Sequence, residues 1–64
     1  MISKFNCECE SCSEAALFID NDHFNGKNFI MIEVAEGDES QIVWLSKEAI
    51  EMLLENLQER LEKM

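Results

Sequence analysis

The sequence has no proline, two glycines, one histidine, and only five basic residues against fourteen acidic ones. Each shortage excludes something. Without proline there is no polyproline stretch or stiff linker, and no internal repeat or shift of composition marks a boundary, so the 64 residues read as one domain. Glycines at 26 and 37 alone do not make a phosphate-cradling loop, and neither an H-E-x-x-H pair nor a nucleophile elbow occurs. A lone histidine that no motif ties to a serine or an acid gives no general-base arrangement. An enzyme is therefore not expected.

The shortage of cations leaves a formal net charge of -9, spread along the whole chain. Such a surface repels phosphate backbones and anionic lipid, which argues against direct nucleic-acid or membrane-surface binding and leaves basic protein surfaces as electrostatic partners. No apolar run approaches the roughly 20 residues of a membrane span, and Met1 to Asn6 does not read as a signal segment. The expected location is cytoplasmic. Hydrophobic content of 47% is that of a folded globule. At this length a single core rarely supplies more than about 3–5 kcal/mol, so a metal, a disulfide or self-association is expected to add stability.

The clearest element present is a C-terminal helix over residues 46–63. Ser46 is a good N-cap, Glu48 places a carboxylate in the first turn, and Leu45 and Ile50 occupy the positions of a hydrophobic staple. Ile50, Leu53, Leu54, Leu57, Leu61 and Met64 recur at steps of three and four, with Ala49 and Met52 on the borders, and so line one side. Glu48, Glu51, Glu55, Glu59 and Glu62 form an acidic stripe on the other. That stripe is a solvated face, relieved by Lys47, Arg60 and Lys63, or a row of charges that imitates phosphates in a basic groove.

Upstream, Ala15–Asp20, Asn28–Ala35 and Gln41–Leu45 are rich in β-branched and aromatic residues and read as strands. Asn25-Gly26 is a hairpin signal, because a type I′ turn needs positive φ at both central residues, and Glu36 to Glu39 reads as the next turn. The expectation is an α+β domain, a three-stranded antiparallel meander over residues 14–45 with one C-terminal amphipathic helix across it, in the order β-β-β-α; residues 1–13 form a cysteine-bearing lead-in. If Asn25-Gly26 closes a two-residue turn, Leu17, Ile19, Ile30, Ile32 and Val34 share the face the helix covers. Phe18, Phe24, Phe29 and Met31 then share the other face with Asp20, Asp22 and Glu33. One helix covers one side, so the second apolar surface needs the lead-in or another molecule. Phe18, Phe29, Met31 and Trp44 are the candidate interface residues, and a homodimer is the expected state.

Cys7, Cys9 and Cys12 form a C-x-C-x2-C cluster, followed by His23. Three thiols within six residues can wrap one zinc ion, with His23, a carboxylate such as Asp20 or Asp22, or a group from a second chain completing the tetrahedron. The alternative is three reduced thiols packed in part as small apolar residues. Glu8, Glu10 and Glu14 disfavour a redox role, since negative neighbours oppose thiolate formation.

The order of short strands, then Val43-Trp44-Leu45-Ser46-Lys47-Glu48-Ala49, then an acidic amphipathic helix resembles, over Phe29 to Met64, the small accessory proteins of bacteriophages and prophages. The resemblance implies an accessory or inhibitory protein that occupies a host component, in the host cytoplasm. Together these observations predict a non-enzymatic acidic binding protein acting as a small homodimer on a protein surface. Two alternatives stand beside it: a zinc-stabilised structural domain, and a dimer whose groove, lined by Phe29, Met31 and Trp44, sequesters a flat small molecule.

Overall fold

The computed structural model describes residues 1–9 and 14–64. Its elements are β1 (Ser3–Asn6), β2 (Ala15–Phe24), β3 (Lys27–Glu36), β4 (Glu39–Leu45) and α1 (Lys47–Glu62). The strands form one antiparallel sheet in the order β1-β2-β3-β4. The architecture is α+β as expected, but the sheet has four strands, not three. The lead-in supplies the fourth, with Ser3 opposite Ile19 and Asn6 opposite Ala16. Ser-Lys-Phe-Asn escapes a pattern search because an edge strand needs no apolar run; backbone pairing holds it, and one side chain, Phe5 beside Leu17, meets the sheet's apolar face.

The central hairpin has the register that a two-residue turn dictates, with Leu17 opposite Val34, Ile19 opposite Ile32 and Phe24 opposite Lys27. Asn25 (φ 52°) and Gly26 (φ 73°) both take left-handed backbone conformations, as a type I′ turn requires. Because so tight a turn consumes only two residues, the polar run Asp20 to Phe24 is not loop. It pairs with Lys27 to Met31, extending both strands to ten residues. At the second turn Gly37 carries the positive φ (59°) and Asp38 does not, the pattern of a type II′ hairpin.

A Cβ at Gly26 meets no atom within 4 Å, so substitution there tests backbone conformation alone. Gly26→Ala is expected to destabilise by about 1 kcal/mol, the cost of left-handed φ for an L-residue. Urea unfolding checks it as a lower midpoint at unchanged slope.

Helix α1 begins one residue after β4. Ser46 (φ -72°, ψ 171°) is the cap: its Oγ accepts from the Ala49 N–H at 3.4 Å, and its carbonyl accepts from the Ile50 N–H at 2.9 Å. Glu48 sits in the first turn and Arg60 in the last, each matched to the helix dipole, and Lys63 pairs with Glu59 at 4.0 Å.

The helix does not lie across the sheet, and here the expected packing is corrected. Ala49 and Ile50 are half-buried, but every residue from Glu51 to Met64 is exposed, with Leu57 at 54% and Leu61 at 66%. No described residue is buried. The reason lies at the connection. One residue between strand and helix, itself committed to capping, lets the helix leave the sheet's end with only its first turn in contact and gives no slack for a reversal. The radius of gyration is 13.5 Å, against about 11 Å for a compact domain of this length.

Candidate interaction surfaces

The strand pairings divide the sheet into two faces, since opposed residues point to one side and successive residues alternate. The first face carries Phe5, Leu17, Ile19, Ile30, Ile32, Val34, Val43 and Leu45. Its charged members, Glu36 and Glu39, stand at the far turn, and its polar end carries Asn21, His23 and Asn28. The start of the helix borders this face, and an open cleft of about 360 Å³ lies between Ile30, Leu45 and Ile50. Val34 and Val43, on adjacent strands, are 53% and 51% exposed. A second apolar surface, the stripe Leu53, Leu54, Leu57 and Leu61, stands open on the helix.

The opposite face carries Phe18, Asp20, Asp22, Phe24, Phe29, Met31, Glu33, Ile42 and Trp44. Three aromatic rings gather here. Phe24 stacks on Phe29 at 4.4 Å between centroids and 12° between planes, and meets Trp44 edge-on at 6.3 Å. Both arrangements suit the ring quadrupole. The indole Nε1–H of Trp44 donates to Oδ2 of Asp22 at 2.9 Å. Because β2 and β4 both flank β3, that bond spans the middle strand and fixes the indole over it. The second oxygen of Asp22 accepts from the His23 N–H at 2.8 Å. Trp44 is still 47% and Phe24 41% exposed, so the cluster is oriented without being covered. Lys4 caps the Phe18 ring from the edge strand at 5.7 Å, and the N-terminal ammonium lies 3.5 Å from Asp20.

No family model, curated protein or solved structure matches this chain.

All four proposed interface residues, Phe18, Phe29, Met31 and Trp44, therefore share one face, on the side away from the helix. Sequence reasoning placed Phe24 on this face but did not count it as an anchor, and it missed Asp22 as the partner of the indole. The register held the signal: with Asp22 opposite Phe29 and Trp44 opposite Met31, the carboxylate and the indole lie on neighbouring rows of one face.

Of the described members of the proposed metal set, Cys7 and Cys9 lie at one end of β2 and His23 at the other. The Cys7 N–H donates to the Ala15 carbonyl at 2.9 Å, which places the cysteine segment at the start of β2. His23 lies eight residues further along the same strand, about 26 Å away at the usual strand rise. There its Nδ1 shares a 2.8 Å hydrogen bond with Asn28 Oδ1. His23 is thus no ligand partner for Cys7 of its own chain, and Asp20 and Asp22 contact the N-terminus and the indole. Cys7 and Cys9 do converge, with Sγ atoms 3.1 Å apart and the Cys9 N–H 3.5 Å from the Cys7 sulfur. Cys9 is disulfide-bonded, whereas reduced thiols were expected. Cys12 lies outside the described residues. Among the described residues no three histidine, cysteine or acidic side chains cluster as a metal site, and no helix is long and apolar enough to cross a membrane.

Proposed function

We propose that this chain is a non-enzymatic binding protein that works as a homodimer, and that the Trp44 face is the surface it presents to a basic region of a protein partner. One observation carries the dimer: the chain exposes 5831 Å², while a folded monomer of 7.4 kDa exposes about 4,200 Å². The excess is about 1,600 Å² per chain, and the large apolar side chains left exposed include Leu53, Leu54, Leu57 and Leu61 on the helix and Val34 and Val43 on the first sheet face, surface whose burial a small domain needs for stability. Two copies hiding it bury about 3,200 Å² together, inside the range of obligate homodimers.

The second face supports the partner. Its indole is held by the Asp22 hydrogen bond against the stacked Phe24 and Phe29 rings, so it loses little side-chain entropy when covered, and tryptophan is among the residues most enriched as interface anchors. Asp20, Asp22 and Glu33 share this face with Lys4, Lys27 and the N-terminal ammonium, so it is the whole-chain net charge of -9 that favours a cationic counterpart. Occupying a host component is the role that the resemblance to phage and prophage accessory proteins implies.

The test compares wild type, Trp44→Ala and Glu55→Ala as baits in bacterial lysate, eluted along a salt gradient. A polypeptide held by wild type and Glu55→Ala, released by salt, and bound at least about tenfold more weakly by Trp44→Ala is expected, the loss of one interface anchor. Retention that is indifferent to Trp44 and to salt would sink the assignment of this face.

A further inference from the structure

The homodimer reading leaves open which surfaces meet, and the connection between β4 and α1 decides it. We infer that the two chains exchange their C-terminal helices, each laying the stripe Leu53, Leu54, Leu57 and Leu61 across the Leu17, Ile19, Ile32, Val34 and Val43 face of the other. This inference rests on the homodimer reading and goes beyond it.

Four observations carry it. First, both surfaces are open in the same chain: Leu57 is 54% and Val34 53% exposed, and the helix leaves the sheet after its first turn. Second, the connection is Ser46 alone, and that residue is tied into the cap by the Ala49 and Ile50 N–H groups. Folding back onto its own sheet would require a reversal within one residue and the loss of the cap. Short connections of this kind favour exchange of an element between identical chains. Third, the two surfaces match in length. Leu53 to Leu61 rises about 12 Å along a helix, and Ile30 to Val34 extends about 14 Å along a strand. Fourth, charge selects a second copy over a basic partner at this face. No acidic residue lies between Ile30 and Val34 on this side, and the glutamates of α1 line the opposite side of the helix, so the contact is apolar on both sides.

A two-fold arrangement satisfies both stripes at once, since each chain donates one helix and receives one. It also uses the excess surface twice over, once on the donated helix and once on the receiving sheet. The Trp44 face stays outward and free.

Inserting a flexible six-residue Gly/Ser segment between Leu45 and Ser46 tests the exchange. With slack, the helix reaches its own sheet, and an intramolecular contact at an effective concentration near millimolar outcompetes exchange at micromolar protein. Sedimentation at about 10 μM is expected to show wild type as dimer and the insertion variant as monomer, its dimer fraction below about a tenth, with unchanged far-UV circular dichroism. A second measurement protects against a variant that fails to fold. Wild-type dimers are refolded from a mixture of isotope-labelled and unlabelled chains, and filtered NOE spectra are recorded. Cross-chain contacts between Leu57 or Leu61 methyls and those of Ile32 or Val34 are expected. A dimer that lacks these contacts, or an insertion variant that remains dimeric and folded, overturns the exchange while leaving the homodimer intact. A monomeric wild type overturns both.

Discussion

Leu57→Asp is expected to separate the chains and take most of the fold with them. Within one chain the leucine is 54% exposed, so on that surface alone the substitution costs only helix propensity, up to about 0.7 kcal/mol. In the dimer the same side chain is covered. Full burial of a leucine contributes about 1.5–3 kcal/mol, and a carboxylate in its place must be desolvated besides. Two copies lose the contact, so the dissociation constant is expected to rise by at least about a hundredfold, from about 3 kcal/mol or more per dimer. Sedimentation equilibrium with parallel circular dichroism reads both consequences. A variant that stays dimeric, with stability lowered by no more than the propensity term, would show that nothing covers the stripe.

The contrast matters because the sheet alone is a poor domain. Four strands with two half-apolar faces and no buried residue among those described gain backbone hydrogen bonds, each worth only about 1 kcal/mol net, against an ordering cost of about 1–2 kcal/mol per residue. Hydrophobic burial must supply the difference, and the side chains able to supply it stand exposed on the helix and on one face of the sheet. If the proposed dimer supplies that burial, stability and assembly are one quantity, as in obligate dimers that have no stable folded monomer.

Local chemistry made much of this legible in the sequence. Asn25-Gly26 is a turn that only a two-residue hairpin uses, and from it the pairing of Leu17 with Val34 and the two-faced division of the sheet follow by counting. Ser46 and Glu48 mark the helix start to the residue. Strand β1 was hidden because its pairing comes from backbone groups, which every residue has, rather than from its side chains. The packing of the helix was hidden for a different reason. An apolar stripe and an apolar face of matching length state that they belong together, but a period carries no information on which copy of the chain provides each. The proposal that a second copy provides the helix rests instead on the length of the connection, a single serine, and on the half-exposed state of Val34 and Leu57. The Trp44 cluster was legible as a face and not as a site, because the Asp22 contact joins residues 22 positions apart.

Dilution provides the last test, and it needs no substitution. If folding and pairing are one event, the thermal midpoint depends on concentration, since mass action favours separate unfolded chains as the protein is diluted. A hundredfold dilution removes about 2.7 kcal/mol from each dimer, RT ln 100. The unfolding entropy of 128 residues, two copies of the 64-residue chain, is about 0.27 kcal/mol/K at the usual value per residue. The midpoint is therefore expected to fall by about 10 °C between 100 μM and 1 μM, by calorimetry at the higher concentration and circular dichroism at both. A chain that hides its excess surface within itself keeps the same midpoint at both concentrations. One that waits for a different protein does so too, at the low value of an uncovered sheet. A fixed midpoint would thus remove the second copy from the account, and its height would say which of these two situations holds.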